Sequence, residues 1–396
     1  DIVDLVGHNA LPAPALVHIR GLGSVEVLSV ETGDANRNGR IDFVKVTFDR
    51  AVDDSTLTGY TGPAAVIDVA ANGNHWQVAG RGGVTIDLDG PAGTDVPDNA
   101  ILYFTFTEGG APDTDQTPDL GIVGTTLLSL NGERTRDATV ASSDGAAPVM
   151  IDVVTFDLDD DGKVETALVE FSERVADATA DANDFTIGGV PAQTVQNDTS
   201  ILPAPFNTYP SDANDWVLIV RITTDANEVP GTDFKTVAYT NDNDGPPLPA
   251  TGLDLADAAG NETATDTNGG QWGNKSDAAK PAVQSARTLT DASLEVVFSE
   301  TVLGVTVGML TTNSGALGFG TLTQAGPRTY VWSNPAGGAT WNTDANGGGP
   351  GDTNAGDGFV STNSSGAPRT VTPNLSFAAG QFSDAFGNAN LAVVNS

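Results

Sequence analysis

The stretch "PVMIDVVTFDLDDDGKVETALVEFSERV", residues 148 to 175, reads as two β-strands on either side of an acidic turn. In the second strand, apolar side chains recur at every other position, at Ala167, Val169 and Phe171. Because successive side chains of a strand point to opposite faces of a sheet, this alternation places all three on one face. The stretch therefore predicts a hairpin in a sheet that packs on one side against a core.

Two other segments align with this stretch along their length. One is "SVEVLSVETGDANRNGRIDFVKVTFDRAV" from Ser24, and the other is "PAVQSARTLTDASLEVVFSETVLG" from Pro281. The alternation recurs in both, at Val44, Val46 and Phe48 and at Leu294, Val296 and Phe298. The copies start at residues 24, 148 and 281, so their starts are 124 and 133 residues apart. Such long separations are typical of whole domains rather than of solenoid units.

The strings between the hairpins favour an all-β fold. "VTIDLDG", "AILYFTFTE", "DWVLIVRIT" and "RTYVWSN" are strand candidates separated by Gly-, Asn- and Pro-rich turns, which predicts a β-sandwich of about seven short strands per copy. "GLDLADAAGNET" closes the second copy and "FSDAFGNANL" closes the third. The predicted organisation is an N-terminal arm or linker at 1–22, then domains at 23–145, 146–279 and 280–396.

Composition restricts the partners. The chain has 396 residues with 52 acidic against 17 basic side chains, a formal net charge of -35, and no cysteine. Such a polyanion argues against nucleic acid or an anionic membrane surface as a partner and favours cations. Without cysteine, additional stabilisation of the fold must come from oxygen-ligated metal ions or from packing, which favours calcium. No apolar run is long enough to span a membrane, and no leader is visible at the N-terminus, so we expect a processed chain or a piece of a longer one.

The acidic turn "DLDDDGKVE" at 157–165 has the spacing of a calcium-binding loop. Alternate side chains converge on one side of a tight turn, the glycine permits the bend, and the seventh residue offers its carbonyl. The predicted Ca²⁺ ligands are Asp157, Asp159, Asp161, the Lys163 carbonyl and Glu165. "DANRNGRID" at 34–42 predicts a second site from Asp34, Asn36, Asn38, the Arg40 carbonyl and Asp42. The flanks alternate as strands, so these loops are not helix-flanked EF-hands.

A simpler interpretation is that "NG" at 38–39 and "DG" at 161–162 only form hairpin turns, which favour those dipeptides. A turn, however, does not need further acidic or amide groups at alternate positions. The third copy reads "TLTDASLE" here and has no such loop. If the strands alternate in direction, the loop lies at the end of the sandwich from which the chain leaves for the next domain. Calcium is therefore predicted to stiffen the first–second and second–third junctions.

The strings "FSERV" and "FSETV", followed later in their copies by "DAAGN" and "DAFGN", resemble bacterial immunoglobulin-like domains of S-layer proteins and large calcium-binding surface adhesins. "FDRAV" in the first copy is a looser match. The resemblance implies tandem Ig-like Greek-key β-sandwich domains that are extracellular and have no catalytic activity.

The predicted function is a calcium-stabilised extracellular structural protein that self-assembles as a homopolymer into a cell-surface layer, sheath or filament. The arm at 1–22 favours assembly, since it can add a strand to a neighbour's sheet edge. The alternatives are a rigid adhesin stalk and, less favoured, a non-catalytic module of a secreted hydrolase. An enzyme is not expected, because His8, His18 and His75 lie in no zinc motif and no nucleophile elbow or phosphate-binding loop is present.

Overall fold

The computed structural model describes residues 23–70, 75–91, 93–123, 126–242, 254–270, 274–290, 293–312, 320–333, 361–362, 368–369, 375–390 and 392–394. The predicted arm at 1–22, with His8 and His18, lies outside the described residues. Chain contacts define two compact units, one of residues 1–36 and 40–146 and the other of residues 37–39 and 147–396.

The described residues of the first unit form ten strands, arranged in a five-stranded sheet in the order β1-β2-β7-β6-β4, a three-stranded sheet β10-β8-β5 and a pair β3-β9. Their bounds are β1 Val27–Gly33, β2 Phe43–Phe48, β3 Val52–Asp53, β4 Val66–Asp68, β5 His75–Val78, β6 Thr85–Asp87, β7 Ile101–Thr105, β8 Leu120–Val123, β9 Leu128–Ser129 and β10 Ala138–Val140. The two larger sheets share one core, in which Trp76 stacks on Phe104 with ring centroids 4.7 Å apart.

The second unit begins with strands that form the sheets β16-β17-β13-β11-β20, β15-β14-β19 and β12-β18. Their bounds are β11 Met150–Phe156, β12 Lys163–Val164, β13 Thr166–Phe171, β14 Phe185–Ile187, β15 Val190–Pro191, β16 Thr194–Gln196, β17 Val217–Arg221, β18 Val229–Pro230, β19 Val237–Tyr239 and β20 Asn274–Asp277. β20 joins β11 in parallel, whereas the other pairs in these sheets are antiparallel.

The remaining strands of the second unit form the sheets β21-β22-β25-β24, β23-β28-β29 and β26-β27. Their bounds are β21 Val283–Thr290, β22 Ser293–Phe298, β23 Thr311–Thr312, β24 Thr321–Gln324, β25 Thr329–Ser333, β26 Ser361–Thr362, β27 Pro368–Arg369, β28 Leu375–Phe377 and β29 Val393–Val394. This unit holds one core within 150–279 and another within 283–382. We call the chain segments that contain the three cores, at 23–146, 147–279 and 280–394, the first, second and third repeats.

The described helical segments are all single 3₁₀ turns, so the prediction of an all-β chain is confirmed. They are Asp54–Thr56, Asp177–Thr179, Ala182–Asp184, Thr199–Ile201, Phe206–Thr208 and Val307–Met309. In the part of the chain that the structure describes, a membrane-spanning helix is not found.

The three predicted hairpins form and share two irregular details. Each has a register shift near its start, between Val27 and Ser29, between Met150 and Asp152, and between Val283 and Ser285. In each, the phenylalanine that ends the second strand donates its backbone N–H to the chain before the third strand, from Phe48 to Ala100, Phe171 to Trp216 and Phe298 to Arg328. The alignment read from the sequence therefore corresponds to a shared local structure.

The prediction of one-sided packing holds for β2 and β22, whose burial alternates, but it is wrong for β13. Val169 faces the core of the second repeat, whereas Leu168 faces a separate apolar cluster on the opposite side of the sheet. The segment that carries Leu202 and Phe206 packs over this second face, which we call the outer layer. Leu168 is fully buried as a result.

Two carboxyl groups lie beside the outer layer. Asp152 and Glu170 are partners across β11 and β13, and the Tyr209 hydroxyl donates to Glu170. Burial, and then the charge of Glu170, raise the pKa of Asp152 from its ordinary 3.8 to about 6, and burial also raises the pKa of Glu170. The folded chain thus keeps a proton on Asp152 that the unfolded chain has already released. The contribution of Asp152 to stability is therefore lost as the pH rises from 3.8 to about 6.

We expect Asp152→Asn to raise the free energy of unfolding at pH 7 by roughly 1 kcal/mol, because it removes a charge whose burial is unfavourable. The two proteins should be equally stable at acid pH, where the parent carboxyl is neutral, and should diverge as the pH rises towards 6. Urea unfolding followed by tryptophan fluorescence measures this difference. The exposed Asp225→Asn is the matched control and should leave the pH profile unchanged; parallel profiles for parent and Asp152→Asn would contradict the prediction.

Candidate metal centre

The acidic turn of the second repeat is folded around the carboxylate of Asp157. Its Oδ1 accepts the backbone N–H of Asp161 at 3.1 Å, and its Oδ2 accepts that of Gly162 at 2.8 Å. Asp160 and Gly162 both have positive φ angles, 63° and 90°. Glycine adopts this conformation without strain, and aspartate tolerates it better than most residues. The sequence Asp-Asp-Asp-Gly thus bends the chain tightly after β11 and returns it to β12.

Three of the predicted ligands meet in this turn. One carboxylate oxygen from each of Asp157, Asp159 and Glu165 lies within 4.8 Å of the other two. Asp157 and Glu165 are buried, whereas Asp159 is exposed. Glu165 Oε1 accepts the N–H of Leu158 at 2.8 Å, but its Oε2 is buried without a hydrogen-bond partner. The group therefore offers only oxygen donors, one of them buried and unused, which fits a hard divalent cation.

The electrostatics of the turn also favour a cation. Burial is the largest cause that raises the pKa of Asp157 to about 7. Burial, followed by the charges of Asp157 and Asp159, raises the pKa of Glu165 to about 7. Backbone N–H groups that donate to each carboxylate act in the opposite direction but are weaker. A divalent ion between these groups would offset both the desolvation and the repulsion.

Asp161 and Lys163, two other residues of the predicted ligand set, contact each other in this structure. The Asp161 carboxylate accepts the N–H of Lys163 at 3.0 Å and forms an ion pair with the Lys163 ammonium group. That ammonium also lies 3.1 Å from Glu228 Oε2. Asp161 is outside the group of three converging carboxylates, because a neighbouring cation in the sequence competes for it. Lys163 itself lies in β12, whose backbone pairs with β18.

The predicted first loop is arranged differently. Asp42 Oδ1 accepts the N–H of Ala35 at 3.0 Å, and the Asn36 amide donates to Glu108 at 2.6 Å. Burial raises the pKa of Asp42, and the charges of Asp34 and Glu108 add to this shift. Among the described residues, this loop does not bring three carboxylates within 4.8 Å of one another.

Two other predicted ligands of the first loop have separate surroundings. The Arg40 guanidinium donates to the Gly110 carbonyl at 3.2 Å. Asn38 lies in the segment 37–39, which chain contacts group with the second unit. The hydrogen bond from Asn36 to Glu108 was not predicted from the sequence, because Glu108 lies in a distant loop and no local spacing indicates that it is close.

The turn at 157–165 lies against the beginning of the third repeat. A Cβ atom placed on Gly162 would lie 3.5 Å from the Cβ of Ala282 and 3.6 Å from that of Ser299. The Asp160 carboxylate is 3.9 Å from the Lys280 ammonium group. The three carboxylates of the turn are therefore held near the point at which the second repeat meets the third.

The fold and this site define an all-β protein of repeated hairpins with acidic clusters that can hold a metal ion. No protein-family model and no curated protein matches the chain. Two solved structures are weakly similar. The S-layer protein rSbsC is 11% identical with a TM-score of 0.20, and the match covers 78% of this chain and 50% of that one.

The second structure is surface layer protein SbsC, domains 1-6, at 10% identity and a TM-score of 0.19, with coverage of 94% of this chain and 59% of that one. The chain thus spans about half to three-fifths of the length of these structures. TM-scores this low do not establish a common fold, and the functional proposal below is therefore based on the residues of this chain.

We expect Glu165→Gln to weaken calcium binding at the acidic turn by about tenfold or more, because it removes one converging negative charge without changing the side-chain shape. Isothermal titration of the full chain, freed of metal by chelation, measures this loss. Asp161→Asn is the matched control in the same turn and should change the affinity by less than about threefold, since Asp161 pairs with Lys163. Equal losses in the two variants would instead support the alternate-position ligand set that the sequence predicts.

Proposed function

We propose that this chain is a calcium-stabilised extracellular structural protein that associates with copies of itself into a cell-surface layer, sheath or filament. In this proposal the three repeats are tandem Ig-like Greek-key sandwiches, and the chain has no catalytic activity. The observation that carries the proposal is the acidic turn of the second repeat, where three carboxylates converge beside the start of the third repeat. An ion at this place would stabilise a junction, which is a structural role.

The arrangement of the strands supports the proposal of tandem sandwiches. Each repeat contains an antiparallel hairpin whose second strand pairs with a third strand from much later in the chain, in the orders β1-β2-β7, β11-β13-β17 and β21-β22-β25. A return to the first hairpin after a long connection is typical of Greek-key topologies.

Charge and composition support the extracellular setting. A net charge of -35 makes the folded chain repel itself unless counterions bind. Extracellular calcium modules bind the ion with dissociation constants of about 10⁻⁴ to 10⁻³ M, so sites of modest affinity would be occupied outside the cell. With no cysteine to form disulfides, oxygen-ligated ions are the available cross-links for such a chain.

The surroundings of the buried acids favour a structural role over catalysis. A general acid or base must exchange a proton with a substrate within hydrogen-bond reach. Both oxygens of Asp157 are instead engaged by backbone N–H groups of its own turn. We therefore propose that Asp157 holds the turn and an ion, and does not act on a substrate.

An exposed strand supports association between copies. In the described part of the chain, β4 ends the five-stranded sheet of the first unit, and its Val66 is 63% exposed. The unpaired backbone of an edge strand can pair with a strand of another chain. In this proposal a second copy of the chain covers β4.

We expect the purified chain to form ordered arrays or filaments in about 1 mM Ca²⁺ and to disperse in chelator, since calcium offsets the self-repulsion and stiffens the junctions. Electron microscopy and sedimentation velocity at several protein concentrations measure this, with NaCl of equal ionic strength as the control. Dispersed rods that only soften on chelation would indicate an adhesin stalk. A chain that stays dispersed and unchanged under both conditions would contradict the proposal.

Val66→Lys should reduce the assembled fraction in calcium, because a charged residue on an edge strand opposes pairing between chains. Val123→Lys is the matched control. Val123 is also exposed, at 55%, but it lies in β8, the central strand of its sheet, which already has a neighbour on each side. Sedimentation velocity measures the assembled fraction of both variants. A loss of assembly in Val66→Lys alone would support β4 as the strand that pairs between copies, and equal assembly in both variants would argue against it.

A further inference from the structure

Three buried carboxylates meet at a second place, which no calcium-loop spacing predicts. Asp277 is the last residue of β20, at the end of the sheet of the second repeat, whereas Glu300 and Asp384 lie in turns of the third repeat. One oxygen from each lies within 4.8 Å of the other two. The three side chains belong to residues that are only 4%, 3% and 1% exposed.

Hydrogen bonds hold these carboxylates in place but leave one oxygen unused. Asp277 Oδ1 accepts the N–H of Ala279 at 2.9 Å, whereas its Oδ2 is buried without a hydrogen-bond partner. Glu300 Oε1 accepts the Thr232 hydroxyl at 2.7 Å. Because a buried carboxylate oxygen is rarely left unpaired, Asp277 Oδ2 indicates a missing ligand at this point.

Asp384 is fixed by a turn with a recurrent geometry. In the sequence "DAFGN", Asp384 Oδ1 accepts the Asn388 N–H, and Oδ2 accepts the Asn388 side-chain amide, both at 2.7 Å. The same amide donates to the Asp277 carbonyl at 2.7 Å, which connects the turn to the end of β20. In "DAAGN" of the second repeat, Asp257 accepts the corresponding two bonds from Asn261, at 2.8 and 2.7 Å. The two sequences therefore form the same hydrogen-bonded turn, in which the asparagine holds the aspartate in one orientation.

In the described part of the chain, the nearby positive side chains form their ion pairs with another acid. Among the described residues, none of the three acids forms a salt bridge with a lysine or arginine. Lys235 and Arg328 lie nearby, but both donate to Asp233, at 2.9 and 2.8 Å. Burial and the charges of neighbouring acids raise the pKa of Asp277 to about 8 and that of Glu300 to about 7. The charge of Arg328 acts in the opposite direction on Glu300 but is weaker than burial, so ionisation of this group remains unfavourable.

We propose that Asp277, Glu300 and Asp384 bind a Ca²⁺ ion between the second and third repeats. The group offers only carboxylate oxygens, which are the donors that a hard divalent cation such as Ca²⁺ prefers. The ligands come from the end of one repeat and from two turns of the next, and the ion therefore cross-links them. This site is separate from the acidic turn at 157–165, and the inference does not depend on self-assembly.

The test compares the parent chain with Glu300→Gln by isothermal titration with Ca²⁺ and by scanning calorimetry in Ca²⁺ and in chelator. We expect the variant to bind one equivalent fewer, or to bind it about tenfold or more weakly, and to lose part of the stabilisation by calcium. In chelator it should melt no lower than the parent, because the substitution removes an uncompensated buried charge. If Glu300 acts only as the acceptor of the Thr232 hydrogen bond, the variant should instead lose the same amount of stability with calcium and without it.

Two controls separate this site from other effects. Glu295→Gln changes a glutamate of β22 that pairs with Arg287 and should leave the calcium stoichiometry unchanged. Glu165→Gln removes a ligand of the acidic turn, so its effect should add to that of Glu300→Gln in the double variant. If Glu300→Gln does not fold, Asp277→Asn serves as the second variant with the same expected outcome. A folded variant that keeps both the stoichiometry and the affinity of the parent, or binding of Mg²⁺ as tight as that of Ca²⁺, would overturn the proposal.

Discussion

A carboxylate that leaves water must be hydrogen-bonded, protonated or bound to a cation, and this requirement governs the turns of the chain. Asp157 meets it with two backbone N–H groups, which at the same time fold the acidic turn. Glu165 and Asp277 meet it only in part, since each keeps one buried oxygen without a partner. The stability of the second and third repeats therefore depends on what neutralises these groups, whether a proton or a metal ion.

The hairpins determine where these carboxylates are placed. A phenylalanine ends the second strand of each hairpin inside the core, and in the third repeat Glu300 follows Phe298 by two residues. Slippage by one residue would move Phe298 to the opposite face of the sheet and displace Glu300 with it. The register shift shared by the three hairpins and the N–H that Phe298 donates to Arg328 oppose such slippage. The packing of the core thus positions the acids of the junction.

The sequence was sufficient for those features whose determinants are local. Alternation in "FVKVTF" and "SLEVVF" predicted β2 and β22, because one face of each sheet is buried and the other is not. The outer layer over β13 was not predictable in this way, because Leu202 follows one short 3₁₀ turn and Phe206 begins another, without strand or helix periodicity. The same distinction applies to the acidic clusters. Asp157, Asp159 and Glu165 are close in sequence, so their spacing was enough to predict that they lie together. Asp277, Glu300 and Asp384 converge only through the fold, and their strings "FSE" and "DAFGN" indicated a repeat rather than ligands.

Close packing at the junction explains why glycine is needed beside the acids. Gly231 has φ +86°, and a Cβ there would lie 2.8 Å from the Ser299 carbonyl oxygen and 2.9 Å from Asp233 Oδ1. Gly231 also donates its N–H to the carbonyl of Gly162 in the acidic turn. Ser299 precedes Glu300 and exchanges a hydrogen bond with Thr232, which itself donates to Glu300. A side chain at Gly231 would push the third repeat away from the turn and separate Thr232 from Glu300. The backbone packing that brings the two repeats together is thus the same packing that assembles the carboxylates between them.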